Sequence, residues 1–342
     1  MLGLTRLTAT VPSAELVPLC GVPSAELIAT KEGRQTMTTI ENAEAFHRLV
    51  PAGRGVERLG TGFMFTEGPV WTNNGAYLLF SDMPGDIRRR WDAAAGVTEV
   101  ERPSNKGNGM TYENSGDLLI CEHATSSVVR LRSDGTRETV ASHFEGKELN
   151  SPNDVVVASS GTIYFSDPAY GRMPGFGIER EQDLSLQGVY RVEPNGEELQ
   201  LLVEDCEQPN GLCFSPDESL LYLNDSPRAH IRVFDVTPDG SIANGSVFFD
   251  NIGSGVVAEG VPDGMKCDEL GNVYVTGPGG IWVISPAAEL LGRIEVPEVV
   301  GNINWGETDW KTLFICASTS LYRIRLEVGG NLLPYMRIGD QK

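Results

Sequence analysis

Glu67, Asn108, Asn153, Asn210, Asp263 and Asn302 each stand a similar distance ahead of the end of a short apolar run. Glu67 to Asp82, Asn108 to His123, Asn210 to Asp225 and Asn302 to Ala317 are each 15 positions, and Asn153 to Asp167 is 14. Two carboxylates and four amides, with no His or Cys among them, form a hard oxygen set that suits calcium better than zinc or copper. One divalent cation is therefore expected, calcium first, with magnesium, manganese and zinc as alternatives; the two acids match its double charge. A single PNG (209–211) or PDG (262–264) is ordinarily a turn. Turn chemistry does not explain a polar side chain at the same point of every repeat that is acidic only twice.

The elements that must position these residues are repeated too. GAYLLFSD (75–82), GDLLICEH (116–123), GTIYFSDP (161–168), SLLYLNDS (219–226), GNVYVTGP (271–278) and KTLFICAS (311–318) read as strands, and each is followed by a second strand such as SVVRLR (127–132) or SLYRIR (320–325). Their starts lie about 40 to 60 residues apart, the period of a four-stranded propeller blade. The spacing predicts an all-β, six-bladed β-propeller in which the innermost strands line the axis and all six polar residues open on one face. A strand-like stretch at 56–60 is expected to be the outer strand of the last blade, which would close the ring and cover its open edge. Residues 46–342 are read as one propeller domain and residues 1–45 as an extension, ordered only in part, carrying the duplication VPSAEL at 11–16 and 22–27.

Composition agrees: 39 Gly and 20 Pro in 342 residues supply the turns of a β protein. The net charge of −20 and the lack of a basic patch argue against nucleic acid as a partner, and no apolar stretch is long enough to span a bilayer. Glu15, Pro18, Pro23 and Glu26 interrupt any secretory h-region, so a cytoplasmic location is expected, with the periplasm as the alternative. Oligomeric state is open. Six cysteines without a CxxC pair read mostly as core residues, with a Cys206–Cys213 pairing left open.

TEGP (66–69), SPND (151–154), QPNG (208–211) and VPDG (261–264), together with CEH (121–123), FSDP (165–168) and TGPGG (276–280), resemble the senescence marker protein/gluconolactonase family, also called regucalcin-like, over residues 56–326. The resemblance implies a six-bladed propeller in which Glu67, Asn153, Asn210 and Asp263 surround a catalytic divalent ion. It also implies calcium-dependent hydrolysis of sugar lactones, with small-molecule lactones as the partners. Metal-assisted attack of water on the lactone carbonyl would follow, with Asp263 as the base. The alternatives are an organophosphate-ester hydrolase on the same ring and a calcium-binding scaffold without catalysis.

His123, placed at the equivalent of Asp82 and Asp225, is the second catalytic candidate: it could touch a substrate oxygen or relay a proton. Its neighbour Glu122 should face the opposite way. Asn108, His123, Tyr170 and Asn302 are expected to line the substrate pocket, and Asp154 either orients Asn153 or caps a turn. Asp82, Asp167 and Asp225 read as Asx-type turn residues. The long connection 169–187 could form a lid, with Arg172 and Arg180 expected to face solvent unless they meet an acidic substrate.

Overall fold

Each of the six apolar runs lies in a four-stranded antiparallel sheet, and every sheet is sandwiched between two others. The computed structural model describes residues 43–72 and 76–337; the expectations for residues 1–42 lie outside them. The first sheet comprises Thr66–Thr72, Tyr77–Asp82, Ile87–Asp92 and Gly96–Glu101, from the axis outward, and four more follow the same order. The sixth takes Val300–Gly306, Thr312–Ala317 and Ser320–Arg325 from the end of the chain and Glu57–Thr61 from its beginning. The expected closing strand is thus present: it pairs antiparallel with Ser320–Arg325, and Arg323 Nε bonds Glu57 Oε2 at 2.8 Å.

The sandwiching explains the sequence pattern. A strand covered on both faces has no solvent side, so its residues are apolar in a run rather than in alternation. Tyr77–Asp82, Ile163–Asp167 and Thr312–Ala317 are buried nearly throughout, whereas the outermost Gly96–Glu101 is largely exposed. The core accordingly lies between blades: Tyr164 and Val189 of the third pack against Leu212, Phe214 and Leu221 of the fourth. Each such aromatic or aliphatic side chain contributes about 1.5–3 kcal/mol.

Helix Ala43–Leu49 buries Phe46 and Leu49 in the cluster shared by the fifth, sixth and first blades, so the boundary drawn at residue 45 falls inside this helix. Cys206 and Cys213, left open as a pair, are both free thiols. No helix among the described residues is long and apolar enough to cross a membrane.

Candidate functional site

The six polar residues sit where the innermost ladders are irregular. The register shifts between Glu67 and Val70, Gly107 and Met110, Pro209 and Leu212, and Val300 and Asn302; in the third and fifth blades the ladder begins only at Val155 and Met265, after Asn153 and Asp263. A bulge re-aims the side chain it carries and frees its backbone. The freed groups bond to the next blade: Gly109 N–H donates to Asn153 O at 2.8 Å, Gly211 N–H to Asp263 O at 3.1 Å and Gly264 N–H to Gly301 O at 2.7 Å. This close approach requires glycine. Gly68 has φ +49°, and a Cβ there would lie 1.9 Å from the Asn108 carbonyl oxygen.

Glu67 Oε2 accepts from Gly68 N–H at 2.9 Å and from Asn302 Nδ2 at 3.1 Å. Burial nevertheless pushes Glu67 up to about 7, against those bonds, with nearby Asp154 adding to the rise and Lys266 opposing it. Asp263 is pushed well above the carboxylate range by burial, then by Glu67 and Asp154; a hydrogen bond with Asn210 gives partial relief. Asn210 Nδ2 donates to Ser226 Oγ at 3.1 Å, and Asn108 Nδ2 to His123 Nε2 at 3.1 Å. That leaves Asn108 Oδ1 and Asn210 Oδ1 buried without a hydrogen-bond partner, an arrangement that costs about 1–3 kcal/mol per group unless something else is bound.

Two carboxylates of opposed charge and the orphaned Asn210 Oδ1 fit a hard divalent cation, and the orphaned Asn108 Oδ1 beside them is open to a further polar group. Among the described residues no three His, Cys, Asp or Glu side chains stand together as a metal cluster, so the donor set rests on amides as well as acids. Asp154 is turned aside: Oδ1 accepts from Val155 N–H at 3.0 Å and Oδ2 lies 3.4 Å from Lys266 Nζ. Lys266 is the residue that sequence reasoning missed, although a lysine within VPDGMKC, at the head of an innermost strand, was a visible signal.

His123 is fully buried, with Nδ1–H donating to Phe176 O at 2.9 Å while Nε2 accepts from Asn108. Burial pushes it down to about 4, with Arg180 contributing and the Phe176 carbonyl opposing. A neutral imidazole with both nitrogens engaged orients Asn108 and ties down the segment that follows blade three's second strand. Its register also differs from the expectation. Gly107 pairs with Glu122, as Thr66 pairs with Asp82 and Pro209 with Asp225, so Glu122 is the equivalent of those acids. His123 lies one residue beyond and matches Ser226, which bonds Asn210 as His123 bonds Asn108.

Asp82, Asp167 and Asp225 make no Asx turns but hold the chain leading into each ring residue. Asp82 accepts from Met64 N–H, Asp167 from Asn150 and Ser151 N–H, and Asp225 from Glu207 and Gln208 N–H, at 2.7–3.1 Å.

Segment 169–187 crosses toward other blades. Phe176 meets Phe65 edge-on at 5.9 Å, and the Tyr170 phenol lies near Ser226, Asn210 and Asp263; burial raises it above the usual range. Arg172 does not face solvent: it is 6% exposed, and its guanidinium donates to Asn150 O at 2.9 Å and Glu148 Oε2 at 2.9 Å. Arg180 joins it on Glu148 and Ser126. Both arginines pin the segment because a buried guanidinium needs acceptors on several sides, and the backbone before Ser151 supplies them.

Six four-stranded sheets in a ring define a six-bladed β-propeller. Residues 65–319 match the SMP-30/Gluconolactonase/LRE-like region, and the chain belongs to that family. It is 33% identical over 300 residues to the gluconolactonase of Zymomonas mobilis, covering 80% of this chain and 82% of that one. It is 26% identical to the 6-deoxy-6-sulfogluconolactonase of Pseudomonas putida, covering 74% and 82%. The solved structure of a Xanthomonas campestris gluconolactonase superposes with a TM-score of 0.76 at 29% identity, over 83% of this chain and 93% of the other.

Proposed function

We propose that this protein is a divalent-cation-dependent hydrolase of sugar lactones, with calcium as the preferred ion. The carrying observation is the pairing of two carboxylates whose charge is opposed, Glu67 and Asp263, with uncapped amide oxygens on neighbouring blades. Gluconolactonase relatives of similar length support the lactone as substrate.

Glu67, Asn153, Asn210 and Asp263 would hold the ion. When bound, it supplies Lewis-acid polarisation of the lactone carbonyl and makes water a better nucleophile. The chain's own residues do the rest. Asp263 accepts the proton of the attacking water as oxygen adds to the carbonyl carbon; the ring C–O bond then breaks, and the released alkoxide takes a proton to give the hydroxy acid. Asn108 and Asn302 present amides to the sugar hydroxyls, and the Tyr170 hydroxyl borders the same opening. Segment 169–187, held by Arg172 and Phe176, limits the entry of bulk water. His123 keeps Asn108 oriented and stays neutral above about pH 4.

Hydrolysis of gluconolactone and a panel of five- and six-membered lactones by chelator-stripped protein, followed by pH-stat, tests this reading. Turnover restored by calcium supports it. Calcium binding without lactone turnover would point to phosphoester hydrolysis or a scaffold, and no cation binding would remove the ring assignment.

A further inference from the structure

One layer below the ring, toward the opposite end of the axis, the innermost strands present Val70, Thr111, Val156, Cys213, Lys266 and Asn304. They occupy matching registers, opposite Leu79, Leu119, Tyr164, Tyr222, Tyr274 and Phe314. Five of the six are neutral. The sixth places an ammonium in the channel, where the Lys266 side chain is 14% exposed. Its Nζ donates to Met265 O at 3.0 Å and lies 3.4 Å from Asp154 Oδ2, 112 residues away in sequence. The same lysine lines a small cavity of about 40 Å³ with Thr111, Val156, Cys213 and Asn304.

A buried ammonium is costly and has no packing advantage over the neutral residues of the other blades. Its position answers a charge problem instead. Asp154 raises the proton affinity of Glu67, Asp154 and Glu67 raise that of Asp263, and Lys266 opposes the rise at Glu67. Three carboxylates and one ammonium leave a net charge of −2. We propose that Lys266 is the fixed counter-charge of the ring: by pairing with Asp154 it withholds that carboxylate from the ligand set and restricts the site to one divalent cation of moderate affinity. This inference rests on the cation-binding reading above.

The two charges make a cycle that reads cation affinity rather than turnover. Calcium is titrated by calorimetry into chelator-stripped wild-type protein, Lys266→Met, Asp154→Asn and the double variant, with folding checked by circular dichroism. Lys266→Met should bind calcium about tenfold tighter or take up a second ion, and Asp154→Asn should bind about tenfold more weakly. The double variant, whose net charge is again −2, should return to within about threefold of wild type. Lys266→Gln repeats the first arm with a polar neutral side chain, and comparison of Asp154→Asn with the double variant reads the lysine charge once more. Unchanged affinity and stoichiometry on neutralising Lys266 would overturn the proposal while leaving the lactonase reading intact. Absence of calcium binding by the wild type would overturn both.

Discussion

Asp225 is a buried aspartate at the end of a propeller strand and Asp263 a half-buried one just ahead of another, and their surroundings are opposite. Asp225 accepts from two successive backbone N–H groups, at 2.7 and 3.1 Å, and Asp82 and Asp167 do the same work in their blades. Asp263 has Asn210 as a partner and faces Glu67 and Asp154, so its charge is opposed rather than supported. A buried carboxylate saturated by its own backbone is architecture; one left short of donors beside another acid is a place for a cation. Even among the saturated acids burial matters, since Asp167 is pushed up to about 7 despite the N–H groups of Asn150 and Ser151. Hydrogen-bond supply, rather than proton affinity alone, therefore separates the two classes.

The largest test of that division is substitution on each side of it. Asp263→Asn should lower lactone turnover by about 10³-fold or more and abolish measurable calcium binding, because it removes both a charged ligand and the base. Equal losses in Asp225→Asn would erase the distinction.

Next in size is a pH effect from the acids whose proton affinity burial raises, Glu67 among them. Glu67 moves from 4.5 to about 7 on folding, which corresponds to about 3 kcal/mol. Below pH 4.5 the carboxyl is protonated in both states; between 4.5 and about 7 the folded protein keeps a proton that the unfolded chain has lost. Stability of the cation-free protein should therefore fall as pH rises through that window. Denaturant titrations across it should show the slope, and calcium or Glu67→Gln should reduce it without abolishing it, because burial raises Asp167 and Asp263 as well. A slope left unchanged in Glu67→Gln would assign the effect elsewhere.

Asp225→Asn should itself cost about 1–3 kcal/mol of stability through weakened backbone bonds, with calcium affinity changed only a few-fold. Chemical denaturation and calorimetry on the same sample separate the two quantities.

The smallest effect is expected at His123. His123→Ala should reduce kcat/KM by about ten- to a hundredfold by releasing Asn108, without altering the pH–rate profile between pH 6 and 9. Loss of a titrating limb in that range would make the imidazole a proton carrier instead.

How much of this was legible beforehand follows from what each feature depends on. TEGP, SPND, QPNG and VPDG recur at nearly constant spacing, and the strand Glu57–Thr61 stands outside the six repeats as a spare edge partner, so the ring and its closure were visible. The matching of His123 with Asp82 and Asp225 failed by one residue, because a bulge shifts pairing without changing a count of positions. Arg172 looked solvent-facing because its acceptors, Asn150 O and Glu148, belong to the chain before the blade's first strand.

Periodicity and residue type were local properties, and through them the sequence by itself determined a six-bladed propeller with polar residues at the mouth. Which acids would be saturated and which starved was decided only by the tertiary structure. Asp225 meets its donors within 18 positions, whereas Lys266 reaches Asp154 across 112 and Asn302 reaches Glu67 across 235. Those meetings exist because the ring sets the sixth blade against the first and brings the third and fifth blades together at its axis.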